Sequence, residues 1–165
     1  MHERRMRIYL DDHFSMIVGE MELIERCHSS NSNSELGYFL KKLLSDLQVQ
    51  KETVEKVFHC LDFEVSIQGQ LKQGAAWLAV KIGRFKLNDS LLEYSDLSRV
   101  VELEAMLAVA QERIALLVTL NSLTFTEVLL RDFDFSLMLM QSELQLAELK
   151  THHHSTILKA FAGKH

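Results

Sequence analysis

An all-α four-helix bundle is the fold this chain predicts, on three observations. Its 165 residues contain no proline and only six glycines, so little in it interrupts a helix. Leu, Met, Val, Ile and Phe recur at spacings of three and four through four long stretches. Hydrophobic residues make up 47% of the chain and charged residues 25%, which is enough to fill the core of one domain over residues 1–165.

The first helix is expected over residues 4–28, where Leu10, Phe14, Ile17, Met21 and Ile24 follow one another at helical spacing. Ser29 to Ser34 is a polar break. Ser34 is then the expected N-cap of a second helix, with Glu35 in its first turn and Leu36, Leu40, Leu43, Leu44, Leu47, Val54, Val57, Phe58 and Leu61 along one face. Between Asp62 and Tyr94 the pattern weakens around Gly69, Gly74 and Gly83, leaving room for one shorter helix over residues 71–84 in a long crossover. A third long helix should start at Ser95 or Asp96 and run to Ser122, lining up Val100, Leu103, Leu107, Ile114 and Val118. The fourth should open at Thr124 or Thr126 and continue from Glu127 to Phe161. Two short hairpin loops flanking one long middle connection is the ferritin-like layout; a plain up-down bundle with one extra short helix is its rival.

The formal charge of −5 comes from acids and bases interleaved along every segment, not from Lys and Arg gathered on one face, which argues against a nucleic-acid surface. No apolar run approaches the length of a membrane span, and the basic start of the chain leads into Asp11, Asp12 and His13 in place of an apolar signal core. Cys27 and Cys60 fall near the ends of the first two helices, so antiparallel packing holds them about 37 Å apart, too far for a disulfide. Two reduced thiols suit a cytoplasmic protein.

Ionisable residues that land inside an apolar arc are the candidates for chemistry. On the first helix these are His13 and Glu20; on the second, Lys51, with Glu55 at the margin. On the third, Glu104 and Gln111 are expected inward and Glu102 and Glu112 outward. On the fourth, Gln141, Glu148 and His152 follow Phe133, Leu137, Met140 and Leu144, with Glu148 and His152 one turn apart. His153 and His154 point in other directions. Carboxylates and imidazoles converging from several helices suit iron, manganese or zinc, so His13, Glu20, Glu55, Glu104, Glu148 and His152 form a candidate ligand set. The competing reading is structural: Lys51 pairs with an inward carboxylate and fixes helix register. The two differ over Lys51, which a cation would repel towards solvent. Nothing in the chain forms a glycine-rich phosphate loop, a nucleophile elbow or a paired-cysteine motif.

Tyr9-Leu10-Asp11-Asp12-His13 with Gly19-Glu20-Met21-Glu22-Leu23, and Lys86-Leu87-Asn88 with Tyr94-Ser95-Asp96-Leu97-Ser98-Arg99 and Glu102-Leu103-Glu104, resemble segments of small bacterial helical proteins of ferritin-like form. The resemblance implies a fold and no particular activity. The di-metal pattern of the wider superfamily takes a Glu from each of two helices and a Glu-x-x-His from each of the other two. Here Glu20 and Glu104 can stand for the single glutamates, but Lys51 and Glu55 have no histidine one turn on, and Thr151 occupies the histidine place after Glu148.

The fourth helix is apolar on more than one face, and its second face, read as Val128, Phe135, Leu139 and Leu146, suits either the crossover around Trp77 or a second subunit. The function expected is therefore non-enzymatic helix-face association, with homodimerisation through the fourth helix. The alternative is a metal-binding bundle with redox or oxidase chemistry.

Overall fold

A computed structural model of the protein describes residues 2–64 and 94–162. Among these residues there are four long α-helices, one short 3-10 turn and no strand: α1 (Glu3–Ser29), α2 (Glu35–Cys60), α3 (Asp96–Leu123), a 3-10 turn (Val128–Leu130) and α4 (Phe135–Phe161). None of the helices is long and apolar enough to cross a membrane. The short helix expected over residues 71–84, Trp77 and the Lys86-Leu87-Asn88 motif lie outside the described residues.

The ends of the helices follow from local chemistry. Ser34 caps α2, its hydroxyl accepting from the Gly37 amide at 3.1 Å. Ser95 caps α3 in the same way through the Ser98 amide. At the far end of α2 the Asp62 and Phe63 amides donate back to the His59 and Phe58 carbonyls, and Asp62 takes the left-handed conformation at φ 57°. This is a Schellman stop, completed by the half-buried Phe63, which packs on the same apolar cluster as Phe58. The α1–α2 turn is tight. A Cβ placed on Gly37 would lie 2.1 Å from the Asn31 carbonyl oxygen, so only glycine lets the loop backbone approach α2.

The fourth helix begins later than the sequence suggests. Arg131 donates to the carbonyls of Thr124 and Phe125, folding residues 124–131 into a compact turn that inserts Leu130 fully into the core. Asp134 then supplies the cap, its carboxylate accepting from the Leu137 amide at 3.0 Å. Thr124 is instead the C-cap of α3.

α1 packs on α2 and α3, and α3 packs on α4; α2 and α4 meet more sparingly. Phe14 meets Phe58 edge to face, which sets α1 antiparallel to α2. Tyr9 bonds Thr119 at 2.9 Å near one end of α1, and Arg26 bonds Glu102 at 2.9 Å near the other, which sets α3 antiparallel to α1. α2 and α3 therefore run parallel, and Glu64 and Tyr94 lie at opposite ends of the bundle.

The core has two apolar halves. One gathers Leu23, Ile24, Cys27, Leu40, Leu43, Leu47, Met106, Leu146 and Leu149. The other gathers Met6, Leu10, Phe14, Ile17, Val57, Phe58, Leu117, Leu120 and Phe135. Each fully buried Leu or Phe among them contributes about 1.5–3 kcal/mol through removal from water.

Candidate functional site

Between the two apolar halves each helix offers polar side chains. Glu20 follows Ile17 and precedes Leu23 on α1; Gln50 lies between Leu47 and Val54 on α2; Arg113 lies between Ala110 and Leu117 on α3; Ser142 and Gln145 precede Leu146 on α4. All five are buried. The Arg113 guanidinium grips both carboxylate oxygens of Glu20, Nε to Oε2 at 3.0 Å and Nη2 to Oε1 at 3.3 Å. Its Nη1 donates to the Gln50 amide oxygen (3.1 Å), the Ser142 hydroxyl (2.7 Å) and the Gln145 amide oxygen (3.2 Å). Gln50 closes the ring by donating to Ser142 at 3.1 Å, and Gln145 passes a hydrogen bond outward to Asp46 at 2.9 Å. The Glu20 and Arg113 side chains are 0% and 1% exposed. Burial pushes the Glu20 carboxyl above its ordinary range, and the facing guanidinium pulls it part of the way back.

The sequence points to Glu20 as an inward group but leaves Arg113 unnoticed and expects Lys51 to be the partner. Lys51 instead pairs with Glu55 on its own helix at 2.8 Å, and its ammonium stands 5.6 Å from the centre of the Phe14 ring. Two helices also present a different face from the expected one. On α3, Glu102 is buried while Glu104, Gln111 and Val118 are exposed, because the stripe that fills the core is Leu103, Met106, Ala110, Arg113, Leu117 and Leu120. On α4, Gln141, Glu148, Leu137, Met140 and Leu144 are exposed, and Phe135, Ser142, Leu146 and Leu149 are buried.

The candidate ligand residues consequently stand apart. Glu20 is held by Arg113. His13 stacks against Tyr9, ring centres 4.3 Å apart, and burial lowers its pKa. Glu55 holds Lys51. Glu104, its side chain 55% exposed, faces His153 at 3.5 Å. Glu148 is exposed, and His152 lies against the Phe39 ring at 5.0 Å. Among the described residues no group of three or more His, Cys, Asp and Glu side chains stands close enough to hold a metal ion.

A second polar network closes the end of the bundle at the α1–α2 loop. Asn31 donates to the Cys27 carbonyl (2.7 Å) and to the Tyr94 hydroxyl (3.0 Å); Tyr94 donates to Glu102 (2.9 Å); Arg99 donates to the Asn31 side-chain oxygen (2.7 Å). Arg26 takes the other Glu102 oxygen at 2.9 Å. Beside this network a cleft of about 340 Å³ opens between the α2 N-terminus and the last turns of α4, lined by Asn31, Ser34, Glu35, Leu36, Arg99, His152, Ser155, Thr156 and Lys159.

The third feature is the outer face of α4. Leu137, Met140, Leu144, Ala147, Thr151, His154, Leu158 and Phe161 alternate spacings of three and four, and all eight are exposed. Leu144 and Phe161 are each 65% exposed. Successive residues turn by 100°, so this seam lies opposite the inner row Phe135, Ser142, Leu149 and Thr156. The second face expected on this helix is therefore real but differently placed: Phe135 and Leu146 are buried and Leu139 packs on the core.

No protein-family model matches the chain, nor does any curated protein or solved structure.

Proposed function

We propose that the protein is a non-enzymatic, cytoplasmic association module of ferritin-like topology that pairs with a second copy of itself through the outer face of α4. The observation that carries this reading is the exposed heptad seam running from Leu137 to Phe161. A seam of that length on a helix already packed on its other side is what a coiled-coil-like contact between bundles requires. The parallel course of α2 and α3, joined by a connection between opposite ends of the bundle, supports the topology. Two free thiols, Cys27 and Cys60, suit the cytoplasmic setting.

Charge selects the partner's direction. Glu143, Glu148 and Lys150 flank the seam and are exposed. A parallel copy would set Glu143 beside Glu148 of the other chain, twice over, which is repulsive. An antiparallel copy with Leu144 over the second chain's Ala147 sets Glu143 beside Lys150 and Gln141 beside Glu148, so the pairing is antiparallel.

Sedimentation of the full chain tests this reading. The wild type is expected to be dimeric at micromolar concentration, and Leu144→Glu with Leu158→Glu is expected to be monomeric with unchanged helical circular dichroism. A wild type that stays monomeric up to about 100 μM would remove the proposal. Leu139 and Leu146 are unsuitable for this test because they pack in the core.

A further inference from the structure

We infer that the cleft at the α1–α2 loop end is a binding site for a small phosphate-bearing anion, either free phosphate or a compact phosphate monoester. Three independent elements supply its donors. From α2 come the Glu35 and Leu36 amides, the first two of the helix, which have no intrahelical acceptor because Ser34 serves Gly37. From α3 comes Arg99, whose Nε is fixed on Asn31 and whose Nη1 is fixed on Asp96, with its guanidinium 5.3 Å from the centre of the Tyr94 ring. That leaves Nη2 without a partner among the described residues on a side chain already held in place. From α4 comes Lys159, which has no carboxylate partner among the described residues, together with the hydroxyl of Ser155.

Charge and size narrow the ligand. Arg99 and Lys159 bring two positive charges to the cleft against one from the Glu35 carboxylate, and helix amides at an N-terminus favour an anion further. A space of about 340 Å³ accepts a phosphate with a short organic group attached. The Glu35 carboxylate disfavours a chain of several phosphates. His152 faces the same space, with Glu148, Glu35 and Lys159 around it, and remains largely neutral at pH 7 because burial lowers its pKa. It offers a hydrogen bond and no further charge. This site is separate from the α4 outer seam and does not depend on pairing.

Amide NMR on the full-length protein tests the inference, with inorganic phosphate and then glycerol phosphate as probes at constant ionic strength. The Glu35 and Leu36 amides are expected to shift and saturate, and Lys159→Gln is expected to weaken phosphate binding about fivefold, the scale for loss of one charge-assisted contact. Lys56→Gln, at the opposite end of α2, is expected to leave it unchanged. Tighter binding of the ester assigns the site to monoesters, and equal binding assigns it to free phosphate. Absence of saturation by about 50 mM phosphate, or a response that Lys159→Gln does not weaken, would overturn the inference.

Discussion

The polar layer at mid-bundle and the polar network at the loop end use the same chemistry, a guanidinium linking carboxylate and amide groups across helices, with opposite results. In the layer Arg113 is enclosed, and its contacts to Glu20, Gln50, Ser142 and Gln145 leave no position for solvent or ligand. At the end, the Arg26 side chain is 42% exposed and that of Asp96 52%, and Arg99 keeps one nitrogen in hand beside an open cleft. The difference is one of saturation. A dry, fully satisfied layer can only specify which residues face one another along the helices, whereas a network at the solvent edge can hold its groups in place and still offer some of them outward.

The largest expected effect breaks the layer. Arg113→Met leaves Glu20 buried without its counter-ion and should cost about 3–5 kcal/mol in urea unfolding. Glu20→Leu combined with Arg113→Met should recover most of that loss, since an apolar pair replaces the ionic one. A single-variant cost below about 1 kcal/mol would show that the layer does not act as a closed unit.

Gly37→Ala attacks the end of the bundle through its backbone. The new methyl group meets the Asn31 carbonyl, so Asn31 must withdraw from Cys27, Tyr94 and Arg99. A loss of about 1–3 kcal/mol is expected, together with broadened amide signals confined to residues around Asn31. Stability equal to wild type would mean that the turn has freedom the close approach denies it.

Tyr94→Phe is the mildest of the three and sharpens the contrast. It deletes a hydroxyl that joins Asn31 to Glu102 but leaves Arg26 on Glu102. Because this network borders water, the expected cost is about 1 kcal/mol, well below that of breaking the buried layer. Equal costs for Tyr94→Phe and Arg113→Met would erase the distinction between the two regions.

Much of the fold is legible in the residues. Ser34 as a cap, the extents of α1 and α2 and the start of α3 follow from short-range chemistry that acts the same way in a peptide and in the bundle. The start of α4 does not, because Arg131 bonding to the Thr124 and Phe125 carbonyls is a loop contact with no periodic signature. The faces of α3 and α4 are harder still. Leu103 belongs to two apolar stripes, one continuing through Leu107 and Val118 and one through Met106, Ala110, Leu117 and Leu120; only packing against α1 and α4 selects the second. Had that second stripe been followed, its regular spacing would have placed Arg113 inside and opposite Glu20. The paired faces of α4 are both apolar, so hydrophobicity alone cannot say which one turns inward.

The two cysteines acquire distinct behaviour from this arrangement. Cys60, the last residue of α2, is exposed, whereas Cys27 is buried, contacts the Tyr94 hydroxyl at 3.5 Å and has its thiol pKa pushed up to about 12 by burial. An alkylating dye therefore marks Cys60 first and reaches Cys27 only when α1 parts from the Tyr94 region, so the protein carries a built-in clock: the interval between first and second label times the breathing of that end.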